Sequence, residues 1–442
     1  MTIFTTLRRL SRTSSGSVFP VLTSMLVFLG SAGCSGPQGG DTSIDGGAQG
    51  GEGVQAFVGA TILDGTGADP IQDGVLLVRA GIVEGVGASA NVPIPEGATV
   101  VDLGGRWLIP GFINAHGHVT GARAAAIGQL QQYAHYGVTT VVSLGGEDPD
   151  AFSLRDEQSA AGLDRARIYV AGPVIAPASV EEAHSDVAML AEMNADWVKT
   201  RVDDGLDTRA KTSPEVYGAI IDAAEEAGLP VAIHIVDLED ATGIVQAGAD
   251  LVAHSVRDEP VDQTLITAML DADVCVVPTL TREVSTFIYA ERPDFFDDPF
   301  FLERAAPADL ETFITPELQA QSTSSAAQFF ENALPLAQEN MRRLHEAGIG
   351  IAMGTDTGPL GRFQGYFEHL EMELMAEGGL THAEVIHAST GGAASCMGLA
   401  GTVGTLEPGA FADLVVVENS PLADIRNTRE IYGVWMAGDR IR

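Results

Sequence analysis

The fold class predicted for this chain is α/β: a (β/α)8 TIM barrel with a small β-sandwich domain built from N- and C-terminal segments. Three observations predict it. Between residues 108 and 356, eight short apolar runs alternate with helical patterns, which is how a parallel sheet covered by helices reads in sequence. Strand-and-turn texture flanks this stretch on both sides, in pieces too small to hold a core of their own. Polar residues of reactive type close several of the runs, and strand C-termini are where such a barrel carries its chemistry.

The chain begins with an export signal. Arg8, Arg9 and Arg12 precede VFPVLTSMLVFLG (18–30) and then Ser31-Ala32-Gly33-Cys34: a basic segment, an apolar stretch short for a membrane span, and small residues before a cysteine. Residues 1–33 resemble a bacterial lipoprotein signal, with Cys34 as the acylated residue. Ser31 stands where that pattern prefers Leu, so ordinary cleavage or an uncleaved anchor stays open. The Arg8-Arg9 pair is compatible with export of a folded protein. Residues 34–53, rich in Gly, Ser and Asp, read as a flexible tether. The expected location is the cell envelope, in the periplasm or at the outer surface, with membrane attachment only through a lipid on Cys34.

Residues 54–110 alternate apolar and polar positions between glycines, as in QAFVGATILDG and GVLLVRAGIVEGVG, and the texture returns over 399–442 in GAFADLVVVENSP and EIYGVWMAGDRIR. Pairing the two segments into one β-domain is the economical solution. The barrel then spans 111–398. Its runs begin at Leu108, Gly137, Arg167, Ala195, Leu229, Ala249, Asp273 and Gly348. Each interval suits a strand plus a helix except the last, which carries an excess over 281–335. The first half of that excess, with five Phe, reads either as a lid over the site or as an insertion packed on the rim. Its second half is helical. HASTGGAASCMG (387–398) reads as a helix packing the barrel on the β-domain.

Composition narrows the partners. With 24 Lys and Arg against 60 Asp and Glu, the net charge is −36. That excludes nucleic acid, whose phosphates need clustered cations, and leaves a small-molecule substrate; a homo-oligomer is compatible with the same features. Beyond Cys34 there are two cysteines, 121 residues apart. They could pair in an oxidising compartment, but Cys275 lies inside the apolar run DVCVVPTL (273–280), which predicts a buried free thiol.

Six residues carry the chemistry: His116 and His118 in GFINAHGH, Lys199 in ADWVKTRV, His234 in LPVAIHIV, His254 in ADLVAHSV and Asp356 in GIGIAMGTD. In a strand, residues two apart face one side, so His116 and His118 can aim at one ion. A lone histidine after an apolar run is usually a satisfied core residue; two of them ending strands of one barrel beside an H-x-H pair point to metal. Lys199 is costly to bury charged. Its pKa should fall, and a neutral amine can add carbon dioxide to form an anionic carbamate that bridges two ions. Asp356 is placed for a general base. Arg201, two beyond Lys199, faces the same way and either clamps a substrate carboxylate or pairs with Asp203 or Asp204. Arg257 is a weaker candidate of the same kind.

Together with LIPGFINAHGHV, GVTTVV, GTDTG and GTLEPGAFADLVVVENSPLADI, these residues resemble the amidohydrolase superfamily over 54–442, and within it the imidazolonepropionase-related and Xaa-Pro dipeptidase-like subgroup. The resemblance implies two divalent ions, zinc by the donor set. His116, His118 and Asp356 would hold one, His234 and His254 the other, and carbamylated Lys199 would bridge them. It implies hydrolysis of an amide or related C–N bond by a bridging hydroxide, with an Xaa-Pro dipeptide or N-acyl amino acid as the expected substrate type. A cyclic amide or imidazolone-type hydrolase using one metal is the alternative. A non-catalytic binding lipoprotein would be expected to have lost ligands, and all six are present. Where dipeptide-cleaving members carry Gly-Gly-His, this chain reads APASVEEAHSD (176–186), leaving His184 as the candidate replacement.

Overall fold

The computed structural model describes residues 53–159 and 162–442. The expected export segment, Cys34 and nearly all of the tether lie outside the described residues.

In chain order the strands are β1 (Val54–Ile62), β2 (Ile71–Arg79), β3 (Ile82–Ala88), β4 (Thr99–Asp102) and β5 (Trp107–Pro110). Then come β6 (Phe112–Gly117), β7 (Val138–Ser143), β8 (Arg167–Val170), β9 (Val198–Arg201), β10 (Val231–His234), β11 (Leu251–Ala253) and β12 (Cys275–Val277). The chain closes with β13 (Leu414–Val417), β14 (Ile431–Met436) and β15 (Asp439–Arg440).

Both chain ends enter one sheet, in the order β15-β14-β13-β5-β1-β2-β3, with β4 on β1. The seam is antiparallel, Leu414 opposite Pro110 and Val417 opposite Trp107. β13 reads LVVV because it is central and covered on both faces, so every residue is buried; strands of that kind lose alternation. Phe57, Leu76, Val78 and Trp435 form the core beneath it.

The middle of the chain makes two parallel sheets, β6-β7-β8 and β9-β10-β11-β12, each strand followed by helix. Asp196 N donates to Val170 O at 2.8 Å and Ile175 N to Lys199 O at 3.0 Å, linking β8 to β9. The run expected to begin at Leu108 divides at Gly111: its first part is β5 of the outer sheet and its second is β6. The eighth run is no continuous strand. Ile351 makes an isolated parallel bridge to Val276, and Thr357 another to Gly117. The physical reason is a ladder shared among neighbours: Ala352 N donates to Val276 O, while Met353 N turns to Ala388 O and its carbonyl accepts from Ala115 N.

The cysteine expectation is corrected. Cys275 and Cys396 form a disulfide, with Cα atoms 5.7 Å apart. Cys275 opens β12 and Cys396 ends the Gly391–Cys396 helix, so the fold joins residues that sequence separation keeps apart. Gly350 makes this fit: a Cβ there would lie 2.5 Å from Cys275 Sγ.

The segment 281–335 packs on the rim. Tyr289, Phe296, Phe300 and Phe301 join Tyr136, Tyr366 and Phe367 in an aromatic cluster, and the Tyr136 hydroxyl donates to Phe301 O at 2.9 Å. Only its ends reach the cleft described below, through Arg282 and through Phe330 on the Ser325–Glu346 helix.

Candidate metal centre and substrate cleft

At the C-terminal ends of the parallel strands lies a cleft of about 360 Å³ whose floor is His116, His118, Lys199, His234, His254 and Asp356. All six residues singled out in sequence meet there. His116 is in β6 and His118 just past it; Lys199 is in β9; His234 ends β10; His254 follows β11. Asp356 follows the bridge at Ile351. His254 (φ 75) and Asp356 (φ 57) are both left-handed. Non-glycine residues in that region cost about 1–3 kcal/mol each and cluster at functional sites. Gly354 permits close approach of the last segment to the first, since a Cβ there would sit 2.8 Å from His116 N.

His118, His116 and Asp356 offer ligand atoms within 4.8 Å of one another. His118 Nε2 is 2.8 Å from Asp356 Oδ1, and its Nδ1 is 2.7 Å from Gly145 O. A carbonyl can only accept, so Nδ1 carries hydrogen and Nε2 faces the ligand position. His254 Nδ1 meets Thr279 Oγ1 at 2.6 Å, and the His254 ring lies 4.0 Å from that of His234 and 4.8 Å from that of His116.

Burial is the largest influence on these groups. It holds His116, His234 and His254 well below the usual imidazole range, with the nearby Lys199 charge adding to the effect. For His118 burial also lowers, but the hydrogen bond to Asp356 and its charge outweigh it, and the pKa rises. Burial would raise Asp356; Arg362 and His118 prevail and keep it ionised. Lys199 is brought down to about 7 by burial, against the opposing pull of Asp356. Its Nζ and His116 Nδ1 are buried without a hydrogen-bond partner. Neutral imidazoles, an ionised carboxylate and an orphaned amine form a donor set that fits divalent metal.

The rim is cationic although the chain is acidic. Arg201, Arg209, Arg282 and Arg362 line the cleft with Asp203 and Asp356 as its carboxylates. Three of the four guanidinium groups are engaged: Arg209 with Asp203 at 2.6 Å, Arg362 with Asp356 at 2.5 Å and Arg282 with Glu283 at 3.0 Å. Arg201 makes no ion pair with a carboxylate among the described residues, and Asp203, a partner considered for it, is taken by Arg209. Arg257 is no clamp: it is buried against Glu283 and Ile235 O. His184 is exposed on the Val180–Glu192 helix and does not line the cleft.

Among the cleft residues to which sequence assigned no role of their own are Asp203, named there only as a possible partner of Arg201, and Arg362. Asp203 is buried, with Oδ2 3.5 Å from His234 Nε2 and otherwise unpartnered. A signal existed, because positions 199, 201 and 203 share one face by period-2 alternation. Arg362, six residues after Asp356 in a turn, left none.

The chain is similar to known proteins over most of its length. A family model described as "Amidohydrolase family" matches residues 107–441. Ochratoxinase of Aspergillus niger is 26% identical over 280 residues, covering 61% of this chain and 51% of that protein, so the chain spans about half the length of this curated relative. Among solved structures, a prolidase candidate from Bifidobacterium longum superposes with a TM-score of 0.72 at 26% identity, covering 88% of this chain and 94% of that one. A Xaa-Pro dipeptidase with methionine bound in its active site follows at a TM-score of 0.70 and 20% identity, covering 88% of this chain and 99% of that one. The chain belongs to the amidohydrolase family.

Proposed function

We propose that this protein is an exported, two-metal amidohydrolase that cleaves a C–N bond in a small substrate bearing a free carboxylate, such as an Xaa-Pro dipeptide or an N-acyl amino acid. The observation that carries the reading is the Arg201 guanidinium, without a carboxylate partner among the described residues, in the same cleft as the six floor residues. The parallel sheets and the bridges made by the eighth run support an eight-stranded barrel beneath it, and the seam of β5 with β13 supports a composite β-domain.

His116, His118 and Asp356 would hold one ion and His234 and His254 the other, with Lys199 as its carbamate between them. Bound there, two zinc ions would polarise the substrate carbonyl and acidify a water. The residues of the chain supply the rest. A Lys199 amine with a pKa of about 7 is substantially neutral at physiological pH and can add carbon dioxide. Asp356 accepts the proton of the attacking water and passes it to the leaving nitrogen. Arg201 receives the substrate carboxylate in bidentate fashion. Asp203 and Arg209 hold each other beside it, and Phe330 closes the far wall.

A second reading has one observation in its favour. His116, His118 and Asp356 are the one group of three close-set His, Cys, Asp or Glu ligands among the described residues, as a one-metal cyclic amide hydrolase would need. Metal analysis of the purified protein separates the two: two ions per chain with loss of activity on removal supports the first reading, one ion the second. A screen of N-acyl amino acids, Xaa-Pro dipeptides, cyclic amides and lactones then tests the substrate class; activity confined to substrates without a carboxylate would sink that part. Export is supported by the Cys275–Cys396 disulfide, since such bonds persist in oxidising compartments. Acylation of Cys34 is tested by mass spectrometry of the mature N-terminus.

A further inference from the structure

Two carboxylates inside the molecule take no part in the chemistry above. Glu368 and Glu371 lie on the Tyr366–Glu377 helix and are both fully buried. A buried carboxylate costs several kcal/mol unless its oxygens are well partnered, so where their hydrogen bonds go is informative.

Glu368 takes all of its bonds on one oxygen. Oε1 accepts from Asn114 Nδ2 at 2.7 Å and from the Thr355 and Thr357 hydroxyls at 2.8 Å each, and Tyr133 backs Thr357 through a hydroxyl contact at 2.7 Å. Thr355 and Thr357 bracket Asp356. Asn114 Oδ1 accepts from His116 N at 2.9 Å, and Thr357 O accepts from His118 N at 2.8 Å. Every ligand of the first half of the centre is thus one residue, or one bond, from a group that Glu368 holds.

Glu371, three residues on, uses both oxygens. Oε1 accepts from Leu280 N at 2.8 Å, and Oε2 from Thr281 N and Thr281 Oγ1 at 2.7 Å each. This fixes the turn at Thr279, which is left-handed (φ 51) and carries the hydroxyl on His254 Nδ1. Glu371 therefore reaches the other half of the centre directly, and touches the first half only through a longer bond, from the Thr281 hydroxyl to Thr355 O at 3.3 Å.

We infer that this helix carries two positioning residues, one for each half of the metal centre: Glu368 sets the His116–His118–Asp356 group, and Glu371 sets His254 through the Thr279–Thr281 turn. The inference rests on the two-ion reading above. Partners behind the ligands commonly change metal affinity about 10- to 100-fold, and here the two effects fall on different ions. Burial pushes both glutamates up, to about 7 and about 8, so acceptor oxygens matter more than full charge. Gln at 368 keeps the one oxygen in use; Gln at 371 keeps one of two.

The test is chelator titration of the zinc-loaded full chain, read as zinc per chain, with His118→Ala and His254→Ala marking which release step belongs to which half. Glu368→Met is expected to weaken the ion marked by His118 about tenfold or more and leave the other within about twofold, with Glu368→Gln restoring it. Glu371→Met is expected to do the reverse, and Glu371→Gln to restore only in part. Should a Met variant fail to fold, Thr357→Val and Thr281→Val remove the hydroxyls that bond Glu368 and Glu371 and are expected to show the same split at smaller size. Equal weakening of both ions, or none, in a wild-type background that binds two overturns the inference. A wild type that binds fewer than two ions overturns the two-ion reading instead.

Discussion

On the floor of the cleft burial holds three imidazoles well below their usual range and a lysine amine is left without a hydrogen-bond partner, whereas the rim gathers four guanidinium groups in a chain of net charge −36. The floor comes from strand ends, with ring orientations fixed from behind by Gly145 O and Thr279. The rim comes from a strand end, from the Leu280–Phe287 helix and from loops, and three of its four arginines are already spoken for by Asp203, Glu283 and Asp356. On the proposed function the difference separates two duties: the floor would serve metal and reaction, and the rim recognition. Substitutions in the two regions should therefore fail in different kinetic parameters.

The largest effect is expected on the floor at Lys199. Lys199→Ala would remove the proposed bridge and should lower turnover on the order of 10³-fold or more, since metal ions contribute several kcal/mol of transition-state stabilisation; short-chain carboxylic acids should restore part of it. A variant that keeps near-full turnover and two zinc ions would disprove the carbamate. Asp356→Asn should lower kcat by about 10²-fold or more with a smaller change in KM, the usual worth of a general base. A change confined to KM would move the base elsewhere.

At the rim, Arg201→Met keeps the apolar stem and removes the donors. One charge-assisted bond is worth roughly 1.5–3 kcal/mol, so kcat/KM should fall about 10- to 150-fold for substrates with a free carboxylate and stay level for their amidated analogues. Equal loss on both forms would make Arg201 structural and erase the distinction between rim and floor.

The smallest effect is one of pH. With Lys199 titrating at about 7 in the folded protein, the neutral amine is roughly a tenth of the total at pH 6 and nine tenths at pH 8. Acid protonates the nucleophile, so reactivation of stripped, carbon dioxide-depleted protein by zinc, at a fixed concentration of dissolved carbon dioxide, should speed up roughly tenfold over that interval. A flat profile would mean that the amine is not the titrating partner.

The floor was legible in sequence because each ligand ends an apolar run, and the period of a strand then says which way a side chain points. His116, His118, Lys199, His234, His254 and Asp356 all meet as expected. What sequence hid was held by tertiary contact. Arg362 and Glu368 follow the last strand in a turn and a helix, where no short period relates them to Asp356. The partners of Cys275 and Asp203 were decided by packing, not by spacing. His184 was drawn in by analogy with a loop motif and sits on an exposed helix face. The eighth run had the composition of a strand, yet its backbone bonds are divided among Val276, Ala115 and Ala388.

The seam between β5 and β13 sets an order of assembly. Trp107 lies opposite Val417, so a growing chain must deliver over three hundred further residues before that edge finds its neighbour. Until then that edge of β5 presents unpaired backbone groups, the kind that recruits foreign strands, and all the parallel strands are made before it is covered. Completion of the outer sheet is thus a late event that only the full-length chain can reach. A polypeptide released short of Leu414 would keep all six floor residues and still lack the partner strand that covers the edge of β5.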